Sequence, residues 1–439
     1  MYHRRPVLVV LAASLAAVAA YHGADLPKGP FCGSSSNVAL HCCADRQDHC
    51  SHPIRDTICY CDEFCKRDRP YDDCCPDYES VCLNEIEAEE AEPYTAGCEH
   101  NGRLYLPGDK RTENCNQCQC VTEPVTNTTS WDCTRDPCIM SDDVVYNVNR
   151  QGAGWRAYNY SQFFGKKLKD GMIYKLGTFE LSYQSKNMVP IDPPKKGTVY
   201  RSSFDARDAW PTFINPPRDQ GWCGSDWAVT IADIASDRFA IYSKGAEKVR
   251  LSPQMLLSCN VRYQQGCLGG HLEGAWSYAR IQGLVDEDCF PYQGKMNKCP
   301  FKKFGNLHDD RCRPVTRERT SRYMVSPPAR LKGEEAMMAE IMNHGPIHAT
   351  MTVYQDFFHY RDGVYRHMPG VYDRINGKHS VRVLGWGEER GTKYWLVANS
   401  WGEEWGENGY FRIARGVNES GIEDFVVTIM PEVNTAYQK

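Results

Sequence analysis

The sequence predicts an α+β fold: a two-lobed domain with its helices first and its sheet afterwards, preceded by small disulfide-rich modules. Three observations carry this. Trp227, Ile231, Ile234 and Ile241 recur at helical spacing between Trp227 and Lys244, whereas Ser380–Gly387 and Tyr394–Asn399 read as strands. The 22 cysteines are unevenly spread, with ten between Cys32 and Cys82, six between Cys98 and Cys138 and six between Cys223 and Cys312. The first two clusters lie in stretches poor in Val, Ile and Leu. Units that small bury too little apolar surface to stand without covalent staples.

A chain of 439 residues holds roughly two to four domains. Its composition, 41% hydrophobic and 24% charged, is globular. A formal charge of −5 (51 basic against 56 acidic residues), with no long basic run, argues against a nucleic-acid or anionic-membrane footprint. Residues 1–20 read as a secretory signal peptide: Arg4 and Arg5, the apolar run Val7–Ala20, and a small-residue cleavage site at Ala17-Val18-Ala19. The run is too short for a membrane anchor, which needs about 20 apolar residues. The mature chain is therefore expected to be soluble and secreted, not membrane-spanning. An even cysteine count fits an oxidising compartment. Asn127, Asn159 and Asn418 each open an Asn-x-Ser/Thr glycosylation site.

Residues 31–83 form the first module. Cys59-Tyr60-Cys61-Asp62-Glu63-Phe64-Cys65, then Cys74-Cys75-Pro76-Asp77-Tyr78 and Cys82, resemble the somatomedin B module, a protein-binding disulfide knot. The first half departs from it, with Cys32, Cys42, Cys43 and Cys50 where that module has two cysteines, so the pairing stays open. Zinc binding is the competing reading, set against the tendency of crowded secreted cysteines to oxidise. Residues 84–95 are an acidic linker. Residues 96–140, with Cys98, Cys115, Cys118, Cys120, Cys133 and Cys138, resemble a von Willebrand factor C-type module. No βαβ pattern surrounds the Cys115-x-x-Cys118 pair, which argues against a redox role.

Residues 141–198 resemble the cathepsin B propeptide over Ser141–Asn149, Trp155 and Gly177-Thr178-Phe179. In an active protease such a segment lies along the groove in reverse and is later removed. Ser203-Phe204-Asp205-Ala206-Arg207 resembles the start of the mature enzyme, and residues 199–439 resemble a papain-like (C1), cathepsin B-like domain. Ser252-Pro253 reads as a capped helix start, and His271–Gln282 as a third helix closed by Gly283. The domain's markers are Asp219-Gln220-Gly221-Trp222-Cys223-Gly224-Ser225-Asp226-Trp227-Ala228 and Gly266-Cys267-Leu268-Gly269-Gly270.

Papain-like chemistry needs a thiolate at a helix N-terminus, a histidine, a residue that orients it, and an oxyanion donor. The resemblance gives the last three as His379, Asn399 and Gln220. The nucleophile's position holds Asp226. The bland alternative is that His379 is a satisfied core histidine, with Asn399 and Gln220 bracing loops. Cys223 is implied to be a structural half-cystine bonded to Cys267. A carboxylate is a far weaker nucleophile than a thiolate toward a peptide carbonyl, and the motif places no second carboxylate nearby to share a proton. Gln220, Asp226, His379 and Asn399 are therefore read as vestigial, with no active catalytic residue. Asp226 keeps negative charge at the helix start, worth about 0.3–1 kcal/mol. It is expected to form an ion pair with His379 that holds the lobes together. Two ligands make a poor metal site, so neither metal nor cofactor is expected.

Cys259, Cys289, Cys299 and Cys312 allow three pairings. Pro300–Asp310, with its single histidine His308, is too short to match the occluding loop of cathepsin B. Phe425 stands where that enzyme has an acidic residue at the base of its main specificity pocket, which implies a more apolar groove. The order of parts resembles the tubulointerstitial nephritis antigen family, whose members typically carry serine at the nucleophile position. That resemblance implies a secreted, glycosylated, non-enzymatic matrix protein. Its implied partners are laminin, collagen and integrin-type receptors, and some members are linked to lipid-modified Wnt-type signals. The alternatives are a peptidase of unusual mechanism in the secretory or lysosomal route, and a pseudo-protease that sequesters substrates or inhibitors. These residues do not decide whether the 141–198 segment stays in the groove.

Overall fold

A computed structural model describes residues 31–32, 42–54, 57–66, 73–83, 97–191, 199–370 and 376–434. The expected signal peptide and acidic linker lie outside the described residues. Every one of the 22 cysteines is in a disulfide. Among the described residues no helix is long and apolar enough to cross a membrane.

The chain divides into two units, residues 1–109 with 119–132 and residues 110–118 with 133–439. In the first unit, five bonds (Cys32–Cys61, Cys42–Cys82, Cys43–Cys50, Cys59–Cys75 and Cys65–Cys74) enclose a core that adds only Ile54 and Tyr78 to buried half-cystines. The sulfurs of Cys32, Cys61 and Cys75 lie within 4.8 Å of one another, but all three are bonded as disulfides and offer no thiolate to zinc. Cys98–Cys120 closes a second small loop in this unit. In the second unit, Cys115–Cys138 and Cys118–Cys133 staple the residues that precede the large domain.

The second unit is two-lobed α+β. It runs through α1 (Asp142–Gln151), β1 (Trp155–Ala157), α2 (Leu168–Lys175), β2 (Phe204–Asp205), α3 (Asp226–Tyr242), α4 (Pro253–Cys259) and α5 (Leu272–Ile281). It continues with β3 (Ala329–Leu331), α6 (Glu334–His344), β4 (Ile347–Tyr354), β5 (Tyr360–Tyr365), β6 (Asn376–Glu389), β7 (Thr392–Ala398), β8 (Tyr410–Ala414) and β9 (Val426–Thr428). The nine strands form one sheet in the order β3-β9-β4-β6-β7-β8-β5-β1, with β2 paired to β6. Only β5 and β8 run parallel among its pairs. The register of β4 on β6 sets Met351 opposite His379.

Helix α3 begins at Asp226 and ends at Tyr242, slightly short of the span its periodicity predicts. It is buried on all sides from Asp226 to Ala240. A helix with no solvent face must pair its charges. Asp233 meets Arg218 at 2.6 Å, Asp237 meets Arg382 at 2.5 Å and Arg238 meets Glu340 at 2.9 Å. Around it, α4 and α5 pack one core with Leu256, Trp276 and Phe239. The sheet packs the other, around Phe357, Trp401 and Trp405. Ser252 does not cap α4: its hydroxyl donates to the Phe290 carbonyl at 2.5 Å, and the helix start rests on Pro253 instead.

Residues upstream of the sheet lobe are integral to it. Ile139, Val144, Val148 and Phe163 belong to the sheet-lobe core. β1 extends the sheet along β5, with Arg156 bonded to Asp362 at 2.5 Å.

Candidate functional site

The site lies where α3 starts between the lobes. Asp226 is the first residue of α3, behind Ser225, whose hydroxyl shares a 2.5 Å hydrogen bond with the Tyr292 phenol. Gln220 sits on the loop before it. His379 comes from β6, and Asn399 follows the end of β7. The structure brings all four together, and all four are buried. Cys223, three residues before Asp226, is bonded to Cys267. Cys259 is bonded to Cys299, and Cys289 to Cys312.

His379 Nε2 donates to Asn399 Oδ1 at 2.8 Å, and the same oxygen accepts the Ser400 N–H at 2.8 Å. His379 Nδ1 is 3.2 Å from Asp226 Oδ2 but makes no hydrogen bond. The two atoms are close, but the geometry is not that of a hydrogen bond. The bonds of Asp226 go elsewhere. Oδ1 accepts the Gly177 N–H at 2.6 Å. Oδ2 accepts the Thr178 hydroxyl at 2.6 Å and the Ser380 N–H at 2.9 Å. Residues 177 and 178 belong to the segment that resembles a propeptide, so the groove is filled by the chain's own backbone.

That segment is fixed on both sides. Gly270 N–H donates to the Gly177 carbonyl at 2.8 Å, and Phe179 N–H donates to the Gly270 carbonyl at 3.0 Å. Gly177 passes so close to the loop before α3 that an added Cβ would lie 1.9 Å from the Gly224 carbonyl oxygen and 2.8 Å from Asp226 Oδ1. The Thr178 hydroxyl also meets Ser380 Oγ at 2.7 Å, which in turn meets His348 Nε2 at 3.0 Å. Burial pushes His348 down to about 3, against a smaller opposing pull from Asp226, so the ring is neutral. Upstream, Lys175 is buried with its ammonium near the rings of Phe163 and Trp222, 5.5 and 5.6 Å away, and 3.6 Å from Asp219. Burial lowers Lys175 to about 8, partly offset by Asp219.

Gln220 Nε2 donates to the Cys223 carbonyl at 2.8 Å and faces the carbonyls of Tyr174 and Lys175 at 3.3 and 3.4 Å. Its Oε1 accepts the Ser400 hydroxyl at 2.6 Å. The amide that would serve as an oxyanion donor is thus committed to carbonyl oxygens. No cysteine thiol is free in the domain, and both oxygens of the Asp226 carboxylate are engaged, Oδ1 by one donor and Oδ2 by two. Asp226 and His379 make a poor metal site of two residues, one of them already holding three donors on its two oxygens.

Phe425 is buried below a cavity of about 320 Å³ lined by Glu180, Leu181, Lys186, Arg330, Lys378 and Asp424. Phe425 gives this cavity an apolar side, whereas Glu180, Lys186, Arg330, Lys378 and Asp424 give it charged walls. Asn127 and Asn418 are exposed, whereas Asn159 is half-buried and donates from Nδ2 to Asp142 at 2.6 Å. Reasoning from the sequence missed His348 and Lys175, which no motif marks, and the role of Ser380 beside His379. Gly177-Thr178 was visible as a pattern, but not as the partner of Asp226.

Residues 200–430 match the family described as papain family cysteine protease. Tubulointerstitial nephritis antigen-like of Mus musculus is 40% identical over 416 residues, covering 89% of this chain and 87% of that protein. Tubulointerstitial nephritis antigen of Homo sapiens is 38% identical over 421 residues, covering 90% and 87%. Cathepsin B-like cysteine proteinase 4 of Caenorhabditis elegans is 41% identical over 268 residues, covering 53% of this chain and 76% of that protein. Among solved structures, procathepsin B S9 from Trypanosoma congolense superposes with a TM-score of 0.55 at 30% identity, covering 67% of this chain and 99% of that one. The chain therefore belongs to the papain family and, within it, to the extracellular group of tubulointerstitial nephritis antigen-like, cathepsin B-like proteins.

Proposed function

We propose that the protein is a non-catalytic, glycosylated extracellular-matrix adaptor that works by binding. Its papain-like domain serves as a closed scaffold. The observation that carries this reading is Asp226: it stands at the nucleophile's position and gives both oxygens to Gly177, Thr178 and Ser380. The segment around Gly177 is a permanent part of the fold and is retained in the working protein. Asn127, Asn159 and Asn418 are the candidate glycan carriers; Asn127 and Asn418 are the exposed ones, and Asn418 Nδ2 donates to Asp424 Oδ1 at 2.7 Å. The partners are matrix and cell-surface proteins, engaged by the disulfide knots and the outer face of the domain. Sequestration of protease substrates or inhibitors in the groove is disfavoured while residues 174–181 fill it.

The test is turnover of a fluorogenic dipeptide amide by the purified chain, before and after limited proteolysis. No turnover above that of Asp226→Ala is expected. Turnover that Asp226→Ala abolishes would make the protein an enzyme and overturn the proposal.

A further inference from the structure

A formal charge of −5 conceals one strongly cationic stretch. Residues 295–322 hold nine basic and three acidic residues, so the rest of the chain is more acidic than the total suggests. The structure sorts these charges. Arg319 and Arg322 turn inward and are neutralised, Arg319 by Glu247 at 2.6 Å and Arg322 by Asp310 at 2.5 Å. The other seven point outward. Lys295, Lys298, Lys302 and Lys303 are exposed, as are Arg311, Arg313 and Arg317. Among the described residues, none of the seven side chains has an ion-pair or hydrogen-bond partner. Only Asp309 and Glu318 oppose them from exposed positions in the same stretch.

The stretch is held rigid. Cys259–Cys299 and Cys289–Cys312 staple it to the helical lobe. Leu307 is buried, and the Cys312 N–H donates to its carbonyl at 2.8 Å. The Arg322 guanidinium donates both to the Lys302 carbonyl, at 2.9 Å, and to the Asp310 carboxylate. One buried anchor therefore gathers Lys302-Lys303 and Arg311–Arg313 from the two ends of the loop. Like charges collected this way repel one another and add nothing to stability. Stapling means that a ligand need not order them on binding.

We propose that this loop, residues 295–317, is a binding surface for a sulfated glycosaminoglycan chain. A thin linear polyanion can follow a narrow cationic strip, whereas a flat anionic bilayer would also face the acidic remainder of the protein. Three arginines suit sulfate groups, whose oxygens match the guanidinium fork. The partner is also of the right compartment, because the protein is extracellular.

The test uses the full chain on immobilised heparin, with soluble heparin, fully desulfated heparin and phosphatidylserine vesicles as competitors. Retention at about 0.15 M NaCl is expected, with release by soluble heparin alone. K302S/K303S/R311S/R313S should lose at least about tenfold in affinity. A control, K110S/K169S/K248S/K332S, removes four exposed lysines elsewhere and should bind as the natural chain does. All replaced side chains are exposed, so equal melting temperatures are expected. Should the quadruple variant fail to fold, K302S/K303S and R311S/R313S each report half of the effect. No retention, equal losses in the loop and control variants, or release by desulfated heparin would overturn the proposal. Release by the vesicles as effective as by heparin would overturn the choice of a polysaccharide.

Discussion

Asp226→Asn keeps the shape of the side chain and replaces one acceptor oxygen by a donor. In the native site Oδ1 faces the Gly177 N–H, and Oδ2 faces the Thr178 hydroxyl and the Ser380 N–H. If the new NH2 faces Gly177, two donors meet. If it faces Ser380, that backbone N–H is left without a partner, although the Thr178 hydroxyl can rotate to accept. Either way one buried backbone donor loses its bond to a charged acceptor. A charge-assisted bond is worth about 1.5–3 kcal/mol, and an orphaned buried donor costs about 1–3. Because these overlap, the expected loss in docking of the segment is about 2–4 kcal/mol. At 1.4 kcal/mol per factor of ten, that corresponds to exchange faster by roughly thirty- to several-hundred-fold. Hydrogen exchange at the amides of Gly177, Phe179 and Gly270 reads this directly, with amides inside α3 as the reference. Unchanged protection at Gly177 and Phe179 would refute the reasoning. So would a loss spread evenly over α3, which would mean that Asp226 supports the fold in general and does not lock the segment.

Gly177→Ala puts a Cβ against the Gly224 backbone, which cannot move aside as a flexible side chain could. Tryptic cleavage after Lys175, buried in the native chain, should become fast, and an unaltered digestion rate would contradict the close approach. Lys175→Met should raise the melting temperature at neutral pH, by roughly 1–3 kcal/mol of stability, because it removes a buried ammonium. Lys175 falls from an unfolded 10.5 to about 8, so the unfolded chain binds the extra proton between these values and the natural protein gains stability as pH rises through them. The advantage of methionine should shrink over that window; a constant advantage would reject the cause. His348 and His359 are pushed by burial to about 3 and about 4 from 6.5. Their lowered folded values mean that the unfolded state takes up protons first as pH falls below 6.5. Together they should cost roughly 2–3 kcal/mol of stability per pH unit between about 6 and 4, of which Asp237, raised by burial to about 6, returns about 1.4. Melting temperatures measured from pH 7 to pH 4 test this, and a flat profile would dismiss it. Such weakness in acid would also count against a lysosomal working place.

The sequence made the scaffold legible because its signals are local. The helical recurrence of Trp227, Ile231 and Ile234 is read within a single helix, and His379 and Asn399 are each given by the resemblance. Cys223 and Asp226 stand in one short motif. What was illegible depends on residues far apart in the chain. Gly177 and Asp226 are separated by 49 positions, and Thr178 and Ser380 by 202. The role of Gly177 comes from a backbone contact that appears only once the loop before α3 is in place. His348 lies in an ordinary strand whose pattern says only that it is buried. Ser252 shows the reverse failure: the local cap signal was correct in type, but the Phe290 carbonyl competed for the hydroxyl. The net charge hides the 295–322 stretch in a similar way, because a sum over the whole chain averages away one stapled loop.

The four bonds and contacts of Asp226 explain why aspartate suits this position once the groove is filled. Its two oxygens reach donors on two neighbouring elements, Gly177 and Thr178 on the segment and Ser380 on β6. A single hydroxyl or thiol has one heavy atom and cannot occupy both of the oxygen positions from which the carboxylate meets Gly177 and Ser380. The carboxylate therefore turns the reactive point of a cleft into a joint. Restoring cysteine by itself should not reopen the cleft, because the Gly270 bonds and the commitment of Gln220 to carbonyl oxygens do not depend on Asp226. Asp226→Cys is expected to give a buried thiol that iodoacetamide alkylates slowly in the native protein. Adding Gly177→Ala, which drives the backbone away from Gly224, should expose that thiol and speed alkylation by at least about tenfold, with denatured protein as the common upper limit. If the single variant reacts as fast as the double one, the segment is not held by its own contacts, and Asp226 was the whole of the lock.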